Sequence, residues 1–254
     1  MLYTLKAKET STNRRKTARA SQKPKVAVFF SGRVAAYEYS QFSLLELQRK
    51  YNATFFCSLN REATTPYIQH FCDIFSITSD QVSYEKAVNP EWFTPYLETP
   101  RIANLYATLY HNKRAFNLIE SYMEKYNMRF DTVLFYRADL LVLTRLLELK
   151  PPQPNAVYIP VDIGLKNVEP PGINGYIAYG DVKSMKLYTS AIDNLEKYHG
   201  DMNGRLYHEG VLLHHLKTHN INIIEMPYMV SPNDRELYDC RLNPMRHDTN
   251  PEYL

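Results

Sequence analysis

The hydrophobic pattern opens with an unbroken apolar run, Val26-Ala-Val-Phe-Phe30, that gives way at once to Ser31-Gly32-Arg33. A short continuous run ended by polar residues predicts a strand buried on both faces that leaves the sheet into a loop. Residues 39–51 then place Phe42, Leu44, Leu45 and Leu47 at roughly helical spacing, and residues 53–58, ending in Ser58, form a second apolar run. Strand, helix and strand make the start of a βαβ unit. Residues 73–78 read as a third short strand, and 88–100, with three prolines and the only tryptophan, as an irregular connection.

The stretch 102–126 lacks Gly and Pro and spaces Leu105, Leu109, Phe116, Ile119 and Met123 along one helical face, so a long helix is predicted there. Residues 131–136 follow as a strand, with Arg137-Ala-Asp139 where it ends. Beyond a proline-rich turn lie a strand over 156–160 and a loop with a short strand over 172–180. Asp181 is placed to cap a helix running to about residue 198. A last helix over 209–219 and a strand over 221–225 complete the pattern. Alternating strands and helices imply one α/β fold with a mainly parallel sheet covered on both faces.

Composition adjusts this picture at its edges. The net charge of +3 hides an asymmetry: residues 1–25 hold eight Lys or Arg and one Glu, so the remainder is mildly acidic. The expected organisation is a basic, flexible leader over 1–23 and a single domain over 24–254; a solvated leader is the plainer reading of the basic run, and no nucleic-acid partner is expected. Three cysteines at wide spacing, Cys57, Cys72 and Cys240, suit reduced thiols in a cytoplasmic setting better than a disulfide framework. No apolar run approaches the ~20 residues of a membrane span.

Ligands of open α/β sheets bind beyond the carboxyl ends of the strands, so the polar residues there are the candidates. Ser31, Gly32 and Arg33 after the first strand, and Ser58 at the end of the second, form one group; glycine allows close backbone approach and Arg33 suits a diphosphate. Arg137 and Asp139 form the other, with Asp139 where a divalent ion would bridge diphosphate oxygens, because Mg²⁺ and Mn²⁺ favour carboxylate ligands. Plainer readings stand beside these: a turn with a surface arginine, and an aspartate in a cap or ion pair. Lys113 and Arg114 read as a solvated face. The P-loop, dinucleotide-binding and serine-hydrolase glycine motifs are absent, which argues against those enzyme classes.

Phe30-Ser-Gly-Arg33, Phe130-Asp-Thr-Val-Leu-Phe-Tyr-Arg-Ala-Asp-Leu140, Asn174-Gly-Tyr-Ile-Ala-Tyr-Gly180 and His208-Glu-Gly-Val-Leu-Leu213 occur in an order that resembles the GT-A glycosyltransferases, including small ones of large DNA viruses and microbes. The resemblance covers roughly residues 24–230. It implies a nucleotide-sugar donor, a glycan acceptor and an Asp-x-Asp motif holding a metal; here Arg137 stands in place of the first Asp. It also implies a base at the start of a late helix, the position of Glu209, with Asp201 and Asp162 in reserve. Asn174, Asp162 and His208 are expected to face substrate, and His208 and His247 are the histidines suited to test as metal ligands; the other histidines near them read as packing or surface residues. The expected activity is sugar transfer from a UDP-linked donor with inversion. The alternative is a noncatalytic nucleotide- or carbohydrate-binding module, and the missing first Asp favours it slightly.

Overall fold

A computed structural model of the chain describes residues 24–32, 37–60, 65–96, 100–138, 141–142, 149–161, 171–226 and 230–231. Among these residues seven strands form the main sheet: β1 (Val26–Gly32), β2 (Thr54–Leu59), β3 (Val82–Tyr84), β4 (Thr132–Tyr136), β6 (Ala156–Pro160), β7 (Ile177–Gly180) and β8 (Asn222–Met226). Their order is β3-β2-β1-β4-β7-β6-β8, and β5 (Leu141–Val142) pairs with β9 (Val230–Ser231) in a separate ribbon. All neighbours in the main sheet run parallel except those of β7, which is antiparallel to both β4 and β6. The mainly parallel α/β sheet expected from the sequence is present.

Period-two alternation divides the strands between two layers. Val26, Val28 and Phe30 of β1, with Leu134 and Tyr136 of β4, pack under α1 (Gln41–Tyr51) and α2 (Thr65–Phe75). Ala27, Phe29, Val133 and Phe135 face the opposite layer. That layer contains α3 (Pro100–Lys125), α4 (Val182–Thr189), α5 (Leu195–Asp201) and α6 (His208–Thr218). Phe29 and Phe30 are both fully buried, one on each face, and each contributes about 1.5–3 kcal/mol relative to an exposed ring.

The long helix uses the face read from the sequence: Leu105, Leu109, Phe116, Ile119 and Met123 are all buried. Asp181 caps α4, its carboxylate accepting the Ser184 N–H at 2.7 Å. The continuous helix expected after it is instead divided, with a 3₁₀ segment Ser190–Asn194 between α4 and α5.

The expected third strand over 73–78 is not formed, and α2 takes its first half. Ile68, Phe71, Cys72 and Phe75 recur at i, i+3, i+4 and i+7 and bury one helical face, so helical periodicity outweighs the short apolar run. The third strand is β3. Cys57 and Cys72 are free thiols. No described helix is long and apolar enough to cross a membrane. The leader expected over 1–23, Cys240 and His247 lie outside the described residues.

Candidate functional site

Because β7 runs against its neighbours, it enters the sheet at the edge where β1, β2, β4, β6 and β8 end. The loop before β7 is thereby delivered to the carboxyl ends of the parallel strands. Tyr136, the last residue of β4, pairs with Ile177, the first of β7, and the next backbone N–H, that of Arg137, donates to the carbonyl of Tyr176 at 2.9 Å. The Arg137 guanidinium lies over the Tyr176 ring, 4.9 Å from its centroid. A cation over an aromatic face is attracted by the ring quadrupole, which fixes the position of this charge at the sheet edge.

The loop over 171–176 is tied down at both ends. Asn174 Oδ1 accepts the Tyr176 N–H at 2.9 Å, a local turn that tightens the approach to β7. The Ile173 N–H donates to the Glu209 carbonyl at 3.2 Å, fastening the loop to the first turn of α6. The glycines matter where loop and helix meet: a Cβ on Gly172 would stand 2.9 Å from the Glu209 Cβ. Glycine is required there because the two segments touch.

His208 and Glu209 therefore come beside Arg137 and Asn174. His208 Nε2 is shielded from solvent and has no hydrogen-bond partner among the described residues. Burial, and secondarily the Arg137 charge, hold its pKa down at about 4, so the imidazole is neutral at pH 7. Glu209 is half-buried in the first turn of α6, where the helix dipole favours a carboxylate. Beneath it lies Tyr188, fully buried, with no partner for its hydroxyl among the described residues. Its pKa is raised by burial first and by the Glu209 charge second.

On the other side of β4, the strand ends are more occupied by structure. Ser31 pairs in register with Ser58, and Gly32 adopts a left-handed φ of 79° with open space where a side chain would project. A glycine is needed there for its backbone angle. Ser58 is fully buried and shares a 2.9 Å hydrogen bond with His111 Nδ1 of α3. Lys113 and Arg114 are held in ion pairs with Asp193 and Glu85.

Among the sequence candidates, Arg137, Asn174, His208 and Glu209 thus converge. Ser31, Gly32 and Ser58 stand at the ends of the adjoining strands. Asp201 sits at the end of α5, 3.3 Å from His214 Nε2. Arg33, Asp139 and Asp162 lie outside the described residues. His215 is a packing residue, its ring bonded on both nitrogens. Sequence reasoning did not single out Gly175, Tyr176 or Tyr188. Tyr176 was within reach of it, since the alternation of a short strand beginning at Ile177 places its predecessor at the sheet edge.

No family model matches the chain, and no curated protein matches it. Solved structures do resemble it. An active-site mutant of LgtC is 15% identical, with a TM-score of 0.48 over 90% of this chain and 81% of that one. The galactosyltransferase LgtC in complex with donor and acceptor sugar analogues is 14% identical, with a TM-score of 0.43 over 79% of this chain and 72% of that one. A glycosyltransferase involved in glycosylation of the major capsid of PBCV-1 is 14% identical, with a TM-score of 0.40 over 80% of this chain and 82% of that one. At these values the likeness carries no functional weight.

Proposed function

We propose that the protein is a glycosyltransferase that moves a sugar from a UDP-linked donor to a hydroxyl of a glycan acceptor, with inversion at the anomeric carbon. The observation that carries this reading is the convergence of a fixed guanidinium, a neutral imidazole and a carboxylate at the carboxyl edge of the sheet. Open α/β sheets bind their ligands at that edge.

In this reading Arg137, steadied by Tyr176, pairs with the diphosphate and stabilises the negative charge that grows on it as the anomeric C–O bond breaks. Glu209 takes the proton of the acceptor hydroxyl as that oxygen attacks the anomeric carbon from the opposite face. The bonding electron pair leaves with UDP, and the proton remains on Glu209 until it passes to solvent. Neutral His208 and Asn174 supply hydrogen bonds to sugar hydroxyls.

A divalent ion is the cofactor that the resemblance implies. Among the described residues no three His, Cys, Asp or Glu side chains are grouped so as to share an ion. His208 Nε2 is a vacant donor, but the Arg137 charge that depresses its pKa also disfavours a cation there. The described donors do not fit a divalent ion, and no step above is routed through one. Asp139 stays open to test.

Calorimetric titration with UDP and with GDP, each with and without Mn²⁺, tests the reading. Binding of UDP, reduced in Arg137→Ala, is the expected result. Enhancement by Mn²⁺ that disappears in Asp139→Ala would add the metal. Failure to bind either nucleotide under any condition would overturn the proposal.

A further inference from the structure

A cavity of about 480 Å³ opens along the outward side of α6. Gly210, Leu213, His214 and Lys217 line it at i, i+3, i+4 and i+7, a single helical face. The end of α5 and the turn after it, from Asp201 to Arg205, form the opposite wall. Its volume falls within the range of small-ligand clefts.

The cavity adjoins the site already described through its chain neighbours. Gly210 follows Glu209, and Pro171, also in the lining, precedes the glycine that touches the Glu209 side chain. On the proposed reading Glu209 faces the acceptor, so this is acceptor-side space, and the inference rests on that reading.

Its charge is unbalanced. Arg205 and Lys217 both line the cavity, and among the described residues neither side chain makes an ion pair or hydrogen bond. Among the described lining residues the one carboxylate, Asp201, is engaged by His214 at 3.3 Å. A planar guanidinium and an ammonium together suit an oxyanion, while Leu213 and Met202 offer apolar surface to a sugar ring. We infer that this cavity is a subsite for an anionic sugar unit of the acceptor, one that carries a carboxylate or a phosphate group, with Arg205 and Lys217 as its cations.

The test follows the full-length chain by NMR, titrated with methyl glucoside, methyl glucuronide and methyl glucoside 6-phosphate. Both charged glycosides, or one of them, are expected to bind at least about fivefold more tightly than the neutral one, a preference that 0.5 M NaCl weakens because partly exposed charges are screened. Which of the two binds more tightly separates a uronate from a phosphorylated sugar. The double variant Arg205→Gln, Lys217→Gln should lose the preference and keep the UDP affinity of the parent. Equal binding of all three glycosides, or a preference that survives in the double variant, overturns the inference. UDP titrated in parallel separates the two claims: anionic preference without UDP binding sinks the transferase reading, and UDP binding without anionic preference sinks only the subsite.

Discussion

Gly175 lies against the imidazole of His208 so closely that a Cβ on its backbone would stand 2.5 Å from Nδ1 and 2.7 Å from Cε1. The ring cannot retreat freely, because its far nitrogen is enclosed. Gly175→Ala is therefore expected to displace His208 or the loop, at a cost of about 1–3 kcal/mol typical of overpacking. Urea unfolding would measure it; an unchanged midpoint would mean that the loop stands further from α6 than described.

Glu209→Gln keeps the size of the side chain and removes its basicity. UDP affinity should persist while transfer falls by roughly 10²–10⁴-fold, the range for loss of a general base. Assays of UDP release with acceptor present would read this, and a variant with parental turnover would take Glu209 out of the role.

The ring beneath Arg137 offers a separate handle on the proposed donor site. In Tyr176→Leu the bulk remains and the quadrupole is lost, which is worth about 0.5–2 kcal/mol. UDP binding should weaken by roughly 3- to 30-fold, with the guanidinium charge still present. Calorimetry on this variant distinguishes a positioned arginine from one that binds only through its charge.

His215 governs part of the acid stability. Its Nε2–H donates to the Leu187 carbonyl at 2.8 Å, so Nδ1 of the neutral ring accepts the Tyr198 O–H at 2.7 Å. Burial holds its pKa at about 4. Unfolded, the same ring titrates near ~6.5, so the unfolded chain takes up the proton first. Stability is thus unaffected by this group above pH ~6.5 and falls as pH drops from there toward 4. Between pH 7 and 5, denaturant unfolding should show an acid loss about 2 kcal/mol smaller in His215→Gln than in the parent. Equal losses would mean that the ring is not held neutral.

Most of the sheet was legible in the sequence because its central strands are buried on both faces and therefore appear as unbroken apolar runs, as at Val26–Phe30. Two features were not. The α2 segment hides a helical face in a stretch whose end also reads as a strand, and only packing of Phe71 and Phe75 on the sheet decides it. The reversal of β7 leaves no mark on composition, since a strand buried on both sides looks the same in either direction. Arg137 was visible as a polar residue at the end of an apolar strand, whereas Asn174, His208 and Glu209 were singled out through motifs that resemble those of the GT-A glycosyltransferases. Tyr188 was not, because one tyrosine among 21 carries no signal until its neighbours are placed.

The reversed strand also bears on how the protein is made. Translation delivers β4 and Arg137 well before Tyr176, and Glu209 later still. The first four strands of a nascent chain can pair as they emerge, but the arginine meets its aromatic platform only once β7 inserts between β4 and β6, and β6 joins the sheet only through that insertion. A chain that stops just before α6 therefore carries the described main sheet except β8, together with the arginine and its aromatic platform, but neither His208 nor Glu209.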